Sequence, residues 1–139
     1  MPNLTTLRVA WEPRILSILR IVLGLLYMQH GLFKIFGFPP GSTPAKPYVL
    51  MSLVPGLAGL LELIGGALVA IGLFTRIVAF ILSGEMAFAY FMAHAPKSFF
   101  PTLNGGQLAI LFCFVFLYLA FAGGGEWSAD EQLRRSRGR

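Results

Sequence analysis

Apolar and polar positions fall into blocks along this chain rather than alternating. Residues 15–36, 50–73, 77–95 and 107–122 are long apolar stretches, and among their 81 residues only Arg20, Lys34, Glu62 and Glu85 are charged. The other 58 residues hold 13 of the 17 charges. A water-soluble domain spreads charge along every amphipathic element, so this segregation predicts helices surrounded by lipid. A hydrocarbon core of about 30 Å takes roughly 20 helical residues at about 1.5 Å each. The first three stretches reach that length. The fourth, at 16 residues, needs residues 103–107 or local thinning of the bilayer to cross. Only Phe74-Thr75-Arg76 separates the second stretch from the third, which demands a tight antiparallel hairpin. The pattern therefore predicts an all-α membrane protein, a four-transmembrane-helix bundle with spans at 15–36, 50–73, 77–95 and 104–122. A short segment, 1–14, precedes the bundle and a basic tail, 123–139, follows it.

Charge in the connections sets the orientation. Arg8, Arg14, Arg76, Arg134, Arg135, Arg137 and Arg139 fall on one side of four spans, whereas the other side keeps Lys46 and Lys97 in its loops. The arginine side is expected to be cytoplasmic and to hold both termini. The first stretch is too long for a signal-peptide core and has no small-x-small cleavage site after it, so no cleavable leader is expected. The outer loops are rich in turn formers: Pro39, Pro40, Gly41, Pro44 and Pro47 in the first, Pro101 and Asn104-Gly105-Gly106 in the second.

Composition narrows the function classes. The chain is 56% hydrophobic and 12% charged, where a soluble domain carries about 25% charge. That excludes a disordered segment, a nucleic-acid module and an ordinary cytosolic enzyme. The net charge of +5 is explained by topology and by anionic lipid, with no nucleic acid as partner. The single cysteine, Cys113, excludes a disulfide framework and an internal Cys-x-x-Cys centre, and packing is its expected role. Two histidines on separate stretches, His30 and His94, give no metal-ligand spacing, so no metal site is expected. His94 is expected to meet the membrane interface.

The polar residues inside the stretches are the candidate chemistry, because a charge at the centre of a membrane helix costs about 2.5–3.5 kcal/mol on insertion scales. Arg20, Gly24, Tyr27, Gly31 and Lys34 recur at steps of three and four, one polar and small stripe of the first helix, with His30 beside it. Arg20 and Lys34 lie near span ends, so snorkelling to the headgroups competes with an inward role. His30 is either a satisfied interhelical hydrogen-bond partner or a proton carrier. Glu62 is too central to snorkel. Its helix face carries Ala58, Gly59, Gly65, Gly66 and Ala70, small residues that admit another helix and take the carboxylate out of lipid. Glu85 lies mid-span as well. Counting along the helices puts Glu85 roughly 12 Å and Glu62 roughly 16 Å from the inner ends of their spans, so the two carboxylates share a layer. Both ionise cheaply only if Arg20 or His30 compensates. Glu62, Glu85 and His30 are thus the proton-handling candidates, against the alternative that they only lock the bundle.

Several motifs resemble those of the DoxX family of small bacterial membrane proteins: His30-Gly31-x-x-Lys34, the run from Gly59 to Gly66 around Glu62, and Gly72-Leu73-x-Thr75-Arg76. Asn104-Gly105-Gly106 and Gly123-Gly124-Gly125-x-x-Ser128-x-Asp130 complete the likeness, which spans residues 14–130. The resemblance implies a four-helix, multi-pass protein of the bacterial inner membrane. Some members are subunits of a thiosulfate:quinone oxidoreductase and others are membrane partners of soluble redox enzymes. Relatives often carry an acidic residue after Asn-Gly-Gly, where this chain has Gln107; if that residue handles protons in relatives, Gln107 cannot do so here. Tyr27, Lys34, Arg20, Gly66 and Gln107 are the expected ligand or partner contacts.

Three functions compete. One is a non-autonomous redox subunit with a quinone or proton site between helices. Another is a structural or assembly subunit, whose buried polar groups serve packing alone. The last is a small transporter or channel, which at this length has to be a homo-oligomer. Catalysis by the chain alone is not expected, because no motif holds an electron-carrying cofactor.

Overall fold

A computed structural model describes residues 3–41 and 47–138; the expectations that concern Pro44, Lys46 and Arg139 lie outside them. The described residues are helical, with no strand among them. Helix α1 runs Leu4–Phe36, α2 Leu53–Ile71 and α3 Thr75–Lys97, and these three are long and apolar enough to cross a membrane. A short turn of helix, α4 (Pro101–Asn104), precedes α5 (Gln107–Ala122), which is apolar but 16 residues long, and α6 (Ala129–Arg137) closes the chain.

Residues 4–14, expected as a segment apart from the first span, continue the same helix. Asn3 starts it by accepting the Thr6 amide at 2.8 Å. Pro13 lies inside and brings no amide, and its carbonyl accepts the Ser17 hydroxyl at 2.9 Å and the Glu126 amide at 3.2 Å. Helix α2 starts three residues later than the apolar stretch, where the Ser52 hydroxyl accepts the Gly56 amide at 3.1 Å. Val54 is extended, so the chain kinks before it winds continuously from Pro55, and a π turn follows at Leu61–Gly65. The helix stops at Gly72, whose φ of +79° turns the chain back while its amide closes on the Leu68 and Val69 carbonyls. The hairpin to α3 is as short as the sequence demands. The tail then latches onto it: the Asp130 carboxylate accepts the Phe74 and Thr75 amides, both at 2.8 Å, capping α3 from 55 residues away.

Helix α1 packs along α2, and α3 along α5. The α1–α2 seam needs glycine. A Cβ on Gly24 would stand 2.5 Å from the Ala70 amide nitrogen, and one on Gly66 2.6 Å from the Met28 amide nitrogen. The adjacent Gly65 opens the other side, where a Cβ would meet Leu82 of α3 at 2.7 Å. Two consecutive glycines thus admit two helices, the close approach that small residues permit in membranes. Tyr27, Val69, Leu82, Phe112, Phe116 and Leu119 fill the centre, while residues such as Val22, Ile64, Phe80 and Phe114 point outward in the manner of lipid-facing side chains.

Arg20 does not snorkel. It is fully buried and donates to the carbonyls of Val69 and Gly124 at 2.7 Å, Ala70 at 2.5 Å and Trp127 at 3.2 Å. These carbonyls lie at the end of α2, where Val69 also accepts the Gly72 amide, and in the turn after α5, so one guanidinium pins three parts of the chain.

Candidate functional site

Tyr27, His30 and Lys34 follow one another on a face of α1, at helical steps of three and four. Glu62 meets them from the π turn of α2, and Glu85 from the middle of α3. The Lys34 ammonium donates to Glu62 Oε1 at 2.5 Å, so Lys34 reaches inward, its side chain 26% exposed against 4% for Glu62. The Tyr27 hydroxyl donates to Glu85 Oε2 at 2.9 Å. Each carboxylate thus has one oxygen fixed. The other, Glu62 Oε2 and Glu85 Oε1, is buried without a hydrogen-bond partner.

Lys34 and Tyr27 stand about two turns apart on one face of α1, so their bonds bring both carboxylates to that face. The aromatic floor comes from α5. Phe116 and Phe112 stand edge-on to the Tyr27 ring, with centroids at 4.8 and 5.1 Å, and Phe112 also meets the His30 ring at 5.8 Å. This packing holds the phenol so that its hydroxyl faces Glu85. His30 is half-buried, its ring against those of Tyr27 and Phe112. The two free oxygens are acceptors, so what they can take is a proton, a hydrogen-bond donor or a cation. Among the described residues, no group of three or more His, Cys, Asp or Glu side chains gathers as metal ligands do.

The structure therefore brings together five of the residues singled out from sequence and leaves three elsewhere. Arg20 is spent on backbone carbonyls, Gly66 lies in the α1–α2 seam, and Gln107 is exposed at the first turn of α5. A second polar group was not foreseen. The buried Asn104 side chain donates to the Ser98 carbonyl at 2.9 Å and accepts the Gly106 amide at 2.7 Å, while His94 Nδ1 lies 3.0 Å from the Asn104 carbonyl. Stacked on Tyr90, His94 belongs to this loop lock. Cys113 packs against the core, its carbonyl accepting the Ser83 hydroxyl at 2.8 Å.

A family model described as DoxX matches residues 15–95. The chain belongs to the DoxX family. This DoxX protein is also 42% identical over 128 residues to an uncharacterized protein of Haemophilus influenzae, an alignment covering 88% of this chain and 93% of the relative. No solved structure matches it. All five residues of the carboxylate cluster lie inside the segment that the family model covers, and Gln107 and the tail latch lie outside it. With three helices of membrane-crossing length, this member of the family is a membrane protein.

Proposed function

We propose that this DoxX protein spans the bacterial inner membrane four times with both termini in the cytoplasm. It serves there as a non-autonomous subunit of a redox complex, its Glu62–Glu85 cluster carrying a proton for quinone-linked electron transfer. The observation that supports the reading best is that two buried carboxylates each keep one oxygen unpartnered. Lys34 balances one of them, and Arg20 is engaged elsewhere. With both carboxylates ionised the cluster holds one uncompensated negative charge, an expensive state inside a bilayer. One proton removes the excess, and Glu62, Glu85 and His30 offer it alternative seats. A quinol hydroxyl is a donor of the kind the free oxygens lack. The orientation rests on the arginines that flank the spans, and the fourth span is α5, extended by α4 and the Asn104 turn.

The experiment is Glu62→Gln in native membranes, with quinone-linked electron transfer measured beside the amount of protein inserted. Loss of a positioned proton carrier is expected to lower transfer by about 100-fold at unchanged insertion. Unchanged transfer contradicts the reading. A structural subunit is the second reading, favoured by Arg20 and the glycine seam, whose polar and small groups serve packing alone. It expects Glu62→Gln to be silent and Gly66→Leu to break the assembly.

A further inference from the structure

A cleft of about 870 Å³ opens at the end of the bundle where α5 stops and α3 begins, bounded by the first turns of α1 and by α6. Four guanidinium groups line it: Arg14, Arg76, Arg134 and Arg135. Three carboxylates line it too, but their oxygens are largely committed. Asp130 uses both on the amides that cap α3, and Glu131 uses both on Arg134 and Arg135, at 2.7 and 2.8 Å. Glu126 gives one to Arg14 Nε at 3.1 Å. Each guanidinium has five N–H donors, so the arginines keep donors that no carboxylate in the cleft takes. Arg76 shows the imbalance best. It reaches only the carbonyls of Ala120 and Phe121, through one nitrogen, and has no carboxylate within ion-pair distance among the described residues.

The rest of the wall is apolar, from Val9, Leu16, Ile77 and Ala122. The level is that at which the apolar helices end, and exposed tryptophans mark it: Trp11, with the Arg14 guanidinium 5.6 Å above its ring, and Trp127. Spare guanidinium donors beside an apolar wall at the headgroup plane fit a phosphate that carries an acyl chain. We infer that this cleft binds the phosphate of an anionic phospholipid. The site is separate from the carboxylate cluster and does not depend on the function proposed for it.

The test reconstitutes the protein into vesicles of equimolar phosphatidylcholine and phosphatidylglycerol and counts, by native mass spectrometry, the lipids retained after transfer to mild detergent. Wild type is expected to keep phosphatidylglycerol in preference to phosphatidylcholine, and Arg76→Gln combined with Arg135→Gln to lower that retention at least about tenfold. Arg8→Gln makes the same change in charge per site outside the cleft, at a side chain 79% exposed, and is expected to change nothing. Arg135→Gln alone leaves the Arg76 contacts with α5 intact, so it reports on the cleft even if the double variant folds poorly. A second arm titrates inorganic phosphate onto protein in phosphatidylcholine alone. Saturable binding there, lost in the cleft variants and found without any preference for phosphatidylglycerol in the first arm, assigns the site to free phosphate and overturns the lipid assignment. The inference is overturned by retention that ignores headgroup charge together with no saturable phosphate binding, or by Arg8→Gln acting as strongly as the cleft variants.

Discussion

Replacing Lys34 with methionine tests whether the Glu62–Lys34 pair is one unit. Methionine keeps the length and apolar stem of lysine, so the change removes the ammonium with little loss of packing. Glu62 then stays 4% exposed, with its 2.5 Å donor gone and its second oxygen already unpartnered. Breaking a buried pair from one side costs about 3–5 kcal/mol, because the survivor is an uncompensated buried charge. For a chain of this size that corresponds to a fall in melting temperature on the order of 10 °C. Cys113, the single thiol and half-buried against the core, provides the assay: a thiol-reactive fluorophore in mild detergent reports its exposure as the bundle melts. Adding Glu62→Gln removes the stranded charge, so the double variant should recover about half of the loss, a non-additivity that only a coupled pair produces. Lys34→Met melting within about 1 °C of wild type, or a double variant no more stable than Lys34→Met, refutes the reasoning.

Arg20→Met takes the guanidinium donor from the carbonyls of Ala70, Gly124 and Trp127, while Val69 keeps the Gly72 amide; at about 1–3 kcal/mol for each buried group left unpaired, the variant should fail to accumulate in membranes, as immunoblotting would show. Gly66→Ala puts a methyl 2.6 Å from the Met28 backbone, and overpacking of about 1–3 kcal/mol should appear as a lower melting temperature in the same thiol assay. The tail has its own pH dependence. Arg134 and Arg135 hold the Glu131 carboxyl down at about 2, below its ordinary value, so their stabilisation of α6 is complete above the ordinary carboxylate range and fades as pH falls towards about 2. Amide protection factors over residues 129–137, taken against the intrinsic exchange rate at each pH, should therefore stay constant from neutrality to mild acid and fall below it; protection already lost at neutral pH would show that the pairs do not hold the helix.

What could be read in advance follows the physics of each element. Apolar blocks give away membrane helices, and a three-residue connection gives away a hairpin, because both depend on local sequence. The small residues around Glu62 likewise announced a seam, since helix faces follow from spacing alone. The inward turn of Lys34 was open, because its stem is long enough for either direction and only the neighbouring helix decides. The role of Arg20 could not be read, since its partners are backbone carbonyls, two of them more than 100 residues away. The Asp130 latch was hidden for the same reason. The continuation of α1 back to Leu4 did not follow from the apolar blocks, because Leu4, Leu7 and Trp11 are interleaved with Thr, Arg and Glu, and the segment is held by the Asn3 cap and by the Glu126 amide on the Pro13 carbonyl. The π turn that carries Glu62 leaves no mark in the apolar pattern at all.

If the Glu62–Glu85 cluster binds and releases a proton, its carboxyl groups change protonation state with pH. Infrared difference spectroscopy of the protein in lipid nanodiscs, with pH stepped across neutrality, reads protonated carboxyl groups directly. A proton-carrying cluster gives a carboxyl band that rises as pH falls, persists in Arg8→Gln and disappears in the Glu62→Gln, Glu85→Gln double variant. A wild-type spectrum without a titrating carboxyl band, or a band that survives in the double variant, would contradict it.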